Sequence, residues 1–176
     1  MTDIKPSNRT GATLSFLSFF PEIIIMYQRI LVPVDGSSTS NAGLAEAVKL
    51  AKLTGARLLL LHVVDDLPIL VSAEGMSAMS GDIFALLKEG GEKVLEQARA
   101  SVASQGLAVD IKLLESLNGR LCDHVNQQVT AWKADLIVLG THGRRGASRW
   151  LLGSDAEQVL RSAAVPVLLV RSDASQ

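Results

Sequence analysis

Several features that would assign a function directly are rare or missing in this sequence. It has one cysteine, Cys122, so it can form no intramolecular disulfide and has no cysteine cluster for zinc. This cysteine usage fits a reducing, cytoplasmic setting. The three histidines are not accompanied by clustered carboxylates, which leaves no convincing metal site. The net charge is −1 and no basic stripe stands out, which argues against nucleic acid as the main partner.

The first 25 residues form an extension ahead of the patterned part of the chain. Residues 14–26 read LSFLSFFPEIIIM, which is similar to a signal-peptide core. Pro21 and Glu22 interrupt this segment, no small-residue cleavage site follows, and it is too short to cross a bilayer as a helix. We therefore expect no integral membrane span. Three interpretations stay open: an arm that packs on the domain or on a partner subunit, a weak membrane-surface contact, or sequence upstream of a start at Met26.

The remaining sequence predicts one domain with a well-filled core. The chain has 176 residues, of which 48% are hydrophobic and 20% charged. Strand-like apolar runs occupy residues 30–34, 58–64, 109–113, 136–139 and 165–170. Helical periodicity lies between them, over residues 44–51, 83–102, 121–132 and 156–163. This alternation predicts an α/β fold with an open, five-stranded parallel sheet and helices on both faces.

Three elements of this pattern are less regular than the others. Gly90 and Gly91 fall inside the second helical segment and leave its continuity open. Polar and apolar residues alternate over 109–113, which predicts a partly exposed strand near a sheet edge. Pro166 removes one backbone donor from the last strand, which suits an edge strand or an irregular start.

A glycine motif after the fourth strand carries most of the functional information. It reads Gly140-Thr-His-Gly143, then nine residues, then Gly153-Ser154. Glycine lets backbone amides approach an anion closely, and a helix N-terminus favours bound phosphate. The motif therefore predicts a phosphate cradle at the carboxyl end of a sheet, although each glycine alone would more often mark a turn. The chain has no G-x-x-x-x-G-K-S/T segment, which excludes a P-loop enzyme.

Together with Pro33-Val-Asp35 and His62-Val-Val-Asp65, this motif resembles the universal stress protein family. The resemblance covers residues 26–172, leaving the extension 1–25 and a tail 173–176. It implies a single domain with strand order 3-2-1-4-5 that is usually dimeric. The glycine motif marks the branch of the family that binds ATP. The resemblance also admits ADP or AMP as the ligand, and Mg²⁺ alongside ATP.

The resemblance implies a role for each matching position in this chain. Asp35 would hydrogen-bond the adenosine, and Val63 would contact adenine through its backbone. Ribose and phosphates would be held by Gly140, Gly143, Gly153 and Ser154. The site would be lined by Pro33, Val34, Leu139, Asp155 and Ala156. A helix N-cap is the alternative role for Asp35.

The roles of several polar residues stay open at this stage. Arg144 and Arg145 either reach phosphates or are solvated loop charges. Arg120 replaces the small or apolar residue that the family often carries after its third-strand glycine. It either alters the ribose-phosphate side of the pocket or begins the next helix. His62 is expected to be a packed, hydrogen-bonded core histidine, and Cys122 a small apolar filler.

The sequence thus predicts an ATP-binding, nucleotide-dependent sensor or regulator that forms a homodimer through its last strand, with an unknown protein partner. Three alternatives remain. One is a slow Mg²⁺-dependent ATPase or phosphotransferase that uses Asp35 or His142. Another is a nucleotide-free dimeric interaction scaffold. The most distant is a carrier of flavin or another nucleotide.

Overall fold

A computed structural model describes residues 26–65, 80–116, 119–141 and 152–172. Within those ranges, strands and helices alternate as the sequence predicts. The strands are β1 Arg29–Pro33, β2 Arg57–Asp65, β3 Val109–Ser116, β4 Leu136–Gly140 and β5 Val167–Val170. The helices are α1 Ser38–Thr54, α2 Ser80–Ala103, α3 Leu121–Trp132 and α4 Ser154–Ser162. The N-terminal extension lies outside the described residues.

The strands form one parallel sheet of five in the order β3-β2-β1-β4-β5, which confirms the predicted fold. β1 pairs with β2 on one side and with β4 on the other, so the strand order reverses between β1 and β4. In sheets of this kind, ligands bind outside the carboxyl ends of the strands at such a reversal.

Hydrophobic layers cover both faces of the sheet because successive side chains of a strand point to opposite faces. Ile30 and Val32 pack with buried residues of α1 and α2, such as Ala47 and Leu95. Leu31, between them, packs on the other face with buried residues of α3 and α4. The three interior strands β2, β1 and β4 are therefore covered on both faces, and most of their residues are buried.

Local signals fix the helices that flank the carboxyl edge. The hydroxyl of Ser37 caps α1 by accepting a hydrogen bond from the Ser40 amide at 3.2 Å. Gly55 ends that helix with φ of 72°, in the left-handed region that favours glycine. The helix α2 runs without interruption through Gly90 and Gly91, which settles the question of its continuity.

Both outer strands behave as their sequences indicate. β3 pairs only with β2 among the described strands, and Ile111 is 37% exposed there, which confirms a partly exposed edge strand. β5 begins at Val167, directly after Pro166, so the proline lies at the start of an edge strand. No helix within the described ranges is long and apolar enough to cross a membrane.

A polar network closes the opposite, amino-terminal edge of the sheet. The Arg57 guanidinium donates to both Asp110 carboxylate oxygens, at 2.7 and 2.6 Å, and the Trp132 indole donates to the same carboxylate at 3.3 Å. The Arg57 hydrogen bond holds the pKa of Asp110 below its ordinary value. Arg29 stacks over the Trp132 ring at 5.2 Å, which ties α3 to this edge.

We expect Asp110→Asn to lower the free energy of unfolding by about 0.5–1 kcal/mol at pH 7, a value discounted for the exposure of the pair. A carboxyl whose folded-state pKa is depressed stabilises the protein above its unfolded pKa of roughly 3.9 and stops doing so as pH falls through the folded value. The difference in free energy of unfolding between variant and wild type, measured by urea titration, should therefore shrink as the pH is lowered from 7 to 3. Glu46→Gln, which breaks the exposed pair with Lys49, is the matched control and should change stability less. An Asp110→Asn loss that is equal at both pH values would contradict this account.

Candidate functional site

The predicted site residues converge on the carboxyl edge of the sheet, at the reversal between β1 and β4. Asp35 follows β1, and Gly140 ends β4, the strand paired with β1. Val63 lies near the end of β2, on the other side of β1. The helix α4 starts from the same edge, because it follows β4 in the chain. The structure thus brings together the ten described members of the predicted set, while Gly143 lies outside the described residues.

A tight turn orients the carboxylate of Asp35. Its Oδ1 accepts a hydrogen bond from the Ser37 amide at 2.9 Å, and its own amide donates to the Ser40 hydroxyl at 3.1 Å. Gly36 between them has φ of 81°, which favours glycine. Ser37, and not Asp35, caps α1, so the N-cap alternative for Asp35 is wrong. A carboxylate accepts several hydrogen bonds, and the turn presents this one at the carboxyl edge of the sheet.

Gly140 is required by packing of the backbone of α1. A β-carbon on Gly140 would lie 2.5 Å from the Thr39 carbonyl oxygen and 2.9 Å from the Ser40 amide nitrogen. Gly43, one turn further along α1, faces the same contact, since its β-carbon would lie 3.1 Å from the Gly140 nitrogen. The first turn of α1 therefore rests directly on the end of β4.

The start of α4 supplies backbone donors to the same edge. Gly153 is the N-cap and makes no side-chain capping bond, so it does not take up the first amides of the helix. The Gly153 amide donates to the Thr141 carbonyl at 2.9 Å, and the Thr141 amide donates to Val170 at 2.9 Å. These bonds join the start of α4 to the residue after β4, and that residue to the end of β5. A helix N-terminus held in this way favours an anion, although Asp155 and Glu157 place negative charge in its first turn.

Three of the residues expected to line the site have side chains in the core. Val34, Leu139 and Ala156 are each at most 5% exposed and pack within the two hydrophobic layers. They can contribute to a ligand site only through their backbone. Pro33 is half-buried, whereas Ser154 and Asp155 are exposed at the start of α4.

A hydrogen-bonded cluster at the end of β3 was not predicted from the sequence. The buried hydroxyl of Ser116 bonds to the backbone of Gly119 and lies 2.9 Å from Nε2 of His124. A β-carbon on Gly119 would collide with the His124 ring. The only sequence signal was the glycine after β3. Arg120 starts α3 and bonds to Asp123 at 3.1 Å, so it begins the helix.

The remaining polar residues divide into two groups. His62 is 3% exposed and hydrogen-bonded, which confirms a packed histidine, and Cys122 is a buried free thiol. His142, Arg144 and Arg145 lie outside the described residues, so their proposed roles stay open. In the part of the chain that the structure covers, no cluster of three or more metal-ligating side chains is found.

Known proteins are similar to this chain over nearly all of the described residues. The model of the universal stress protein family matches residues 26–171. Universal stress protein MJ0531 of Methanocaldococcus jannaschii is 35% identical over 147 residues, which cover 83% of each chain. A universal stress protein of Thermus aquaticus is 34% identical over 146 residues, covering 83% of this chain and all of the relative.

Solved structures share the fold. Protein MJ0577, for which Methanocaldococcus jannaschii is the source, superposes with a TM-score of 0.72 at 25% identity, covering 85% of this chain and 99% of that chain. A universal stress protein solved in complex with cAMP superposes with a TM-score of 0.58 at 22% identity, covering 84% and 99% of the two chains. A third, from Archaeoglobus fulgidus in complex with dAMP, has a TM-score of 0.56 at 21% identity, covering 82% and 98%. The last two likenesses show the common fold.

Proposed function

Since this chain belongs to the universal stress protein family, we propose that it binds ATP and acts as a nucleotide-dependent sensor or regulator of a stress response. The observation that carries the proposal is the convergence of Asp35, Gly140 and the uncapped start of α4 at the strand reversal. An oriented carboxylate, a strand that ends in glycine and a helix N-terminus are the groups that suit ribose and phosphates.

The proposed pose runs from β2 across β1 to α4. Adenine lies against the backbone of Val63, and a ribose hydroxyl donates to Asp35. The phosphates face Gly140, Gly143, Gly153 and Ser154. Because Asp155 and Glu157 are the charged side chains in the first turn of α4, a triphosphate here needs positive charge from elsewhere. Arg144, Arg145 and a Mg²⁺ ion carried by ATP are our candidates for that charge.

Relatives of the same fold support an adenine nucleotide as the ligand class. The cAMP and dAMP complexes show that this fold accepts an adenine base with one phosphate. ADP and AMP are therefore the alternative ligands. We further propose a cytoplasmic homodimer joined through β5, with a protein partner that reads the nucleotide state.

Ligand identification tests the proposed function. Protein purified without added nucleotide is denatured and its released ligands are identified by mass spectrometry, after which the emptied protein is titrated with ATP, ADP and AMP. Recovery or binding of an adenine nucleotide is the expected result. Absence of both favours the nucleotide-free scaffold. A yellow preparation points to a flavin carrier, and multiple-turnover phosphate release that Asp35→Ala abolishes points to an ATPase or phosphotransferase.

We predict that Gly143→Val weakens ATP binding at least about tenfold, or about 1.4 kcal/mol, because a branched side chain would occupy space needed by phosphate oxygens near the loop amides. Calorimetric titration measures the affinity, and the thermal transition checks that the variant is folded. Gly146→Val is the matched control, since it places the same side chain in the same loop outside the motif. Equal ATP affinity in Gly143→Val and wild type would remove Gly143 from the phosphate site.

A further inference from the structure

His62 is a buried polar ring at the point where β1 and β2 separate. It is 3% exposed and lies on the face of the sheet covered by α2. Its Nδ1 is 2.6 Å from the Val34 carbonyl oxygen. A carbonyl oxygen can only accept, so Nδ1 carries the proton of this bond. The ring therefore joins the residue before Val63 to the residue before Asp35.

The hydrogen bond of His62 stands where the ladder between β1 and β2 would otherwise continue. The Arg57 amide donates to Gln28 beside β1 and the Leu58 amide donates to Ala108 beside β3, so odd-numbered residues of β2 direct their backbone groups toward β1. The last bond of this ladder within the described residues runs from the Val34 amide to the Leu61 carbonyl, at 2.8 Å. The next bond in that series would join the Val63 amide to the Val34 carbonyl, which instead accepts from His62.

Close packing against α2 holds the imidazole in this place. A β-carbon on Gly91 would lie 2.8 Å from Cδ2 of His62, 2.9 Å from Leu113 and 3.1 Å from Val64. The ring fits beneath a helix position that has no side chain, so α2 can approach the sheet and cover it. Gly90, the neighbouring glycine, has no atom within 4 Å of its β-carbon position. Of the two glycines, Gly91 is therefore the one that this packing requires.

We propose that His62 is a positioning residue for adenine recognition: by bonding the Val34 carbonyl, it ends the ladder and leaves the Val63 amide and carbonyl to read the adenine edge. A strand residue presents an N–H and a C=O side by side. The N–H matches N1 of adenine, which accepts, and the C=O matches the N6 amino group of adenine, which donates. Hypoxanthine reverses both groups and is rejected. The inference rests on the proposed nucleotide site and deepens it.

Hydrogen exchange in nucleotide-free protein tests the backbone part of this proposal. In the wild type, the Val63 amide should exchange at least tenfold faster than the Leu61 amide, which lies inside the ladder, and should become protected when AMP is added. In His62→Phe, which keeps a ring and removes the donor, the Val63 amide should pair with Val34 and exchange at least tenfold more slowly than in the wild type. His62→Asn places an amide donor where Nδ1 stood and should keep the wild-type rate.

Base discrimination tests the recognition part. His62→Phe should reduce the ratio of AMP to IMP affinity at least tenfold, while His62→Asn retains it. Val102→Ala, a change of a fully buried α2 residue remote from His62, controls for general destabilisation and should leave the ratio unchanged. If His62 were a core residue with no positioning role, His62→Phe would lower the thermal midpoint without changing this ratio.

The outcomes separate this proposal from the proposed function. A wild type that binds no adenine nucleotide overturns the proposed function. In a second case, the wild type binds AMP and yet, without nucleotide, protects its Val63 amide from exchange as well as its Leu61 amide. That result overturns the role of His62. The same conclusion follows if His62→Phe folds and keeps the full preference for AMP over IMP. Because the wild-type comparison needs no variant, the test stands even if His62→Phe fails to fold.

Discussion

A Gly140→Ala variant should be less stable than the wild type by about 3 kcal/mol, the upper part of the range for overpacked sites. The added methyl group would lie 2.5 Å from the Thr39 carbonyl oxygen, 2.6 Å from its carbon and 2.9 Å from the Ser40 nitrogen. All three are backbone atoms of a capped helix, so a side-chain rotation cannot relieve the contact. The first turn of α1 must move away from β4, and urea titration at pH 7 measures the cost.

The same displacement should weaken ATP binding at least about tenfold, because Asp35 is tied to this turn through Ser37 and Ser40. Gly90→Ala is the matched control: the same methyl group meets nothing within 4 Å, and replacing a mid-helix glycine should add about 0.5–1 kcal/mol of stability. The two substitutions should therefore change the free energy of unfolding in opposite directions. If Gly140→Ala is as stable as the wild type, α1 does not rest on the end of β4 as described.

The alternation of strands and helices was readable from the sequence because buried parallel strands leave continuous apolar runs. Leu58 to Val64 and Leu136 to Leu139 have that form, and both became central strands. The order of strands was a different matter, since nothing in a single apolar run says which neighbour it pairs with. That order came from the family resemblance, carried by the motif around Gly140 and Gly153.

The glycines show where sequence reasoning stops. Gly140 was interpreted as a point of phosphate approach, yet its nearest obligatory neighbour is the backbone of Thr39. Gly90 and Gly91 look alike in the sequence, but of the two only Gly91 lies against other side chains, those of His62, Leu113 and Val64. Such differences depend on contacts between segments far apart in the chain, which periodicity and spacing do not encode. The cluster of Ser116, Gly119 and His124 lies within nine residues of the chain, and it was missed because spacing alone does not show which side chains hydrogen-bond.

The candidate site was predicted in its location better than in its details. Asp35, Gly140 and Gly153 lie at one edge because the carboxyl ends of parallel strands share an edge. Which atoms face a ligand could not be foreseen, because that depends on burial. Val34, Leu139 and Ala156 turn their side chains into the core and leave only backbone at this edge.

Among the described strands, β5 has no neighbour on its outer edge, and we propose a second copy of this chain as the partner for that edge. The Ile137 amide donates to Pro166 and the Thr141 amide donates to Val170, so the even-numbered residues of β5 direct their backbone groups toward β4. Val167 and Leu169 direct theirs outward, and all residues of the strand are half-buried. Pro166 therefore removes no outward donor. Symmetric pairing of two such edges covers both at once and gives a closed assembly.

Leu169→Pro should convert the proposed dimer to monomer, since proline removes the outward amide of Leu169 while the bonds between β4 and β5 remain. Because both protomers carry the substitution, the dimer loses two hydrogen bonds. Each backbone group left without a partner costs about 1–3 kcal/mol, so the dimer Kd should rise at least about thirtyfold. Leu169→Ala, which loses the same side chain and keeps the amide, is the matched control and should stay dimeric. Leu168 is a poorer target for proline, because its backbone groups are directed toward β4 and not outward. Sedimentation velocity across micromolar concentrations distinguishes the cases. A monomeric wild type would refute the dimer, and a dimeric Leu169→Pro that is folded would place the interface on another surface.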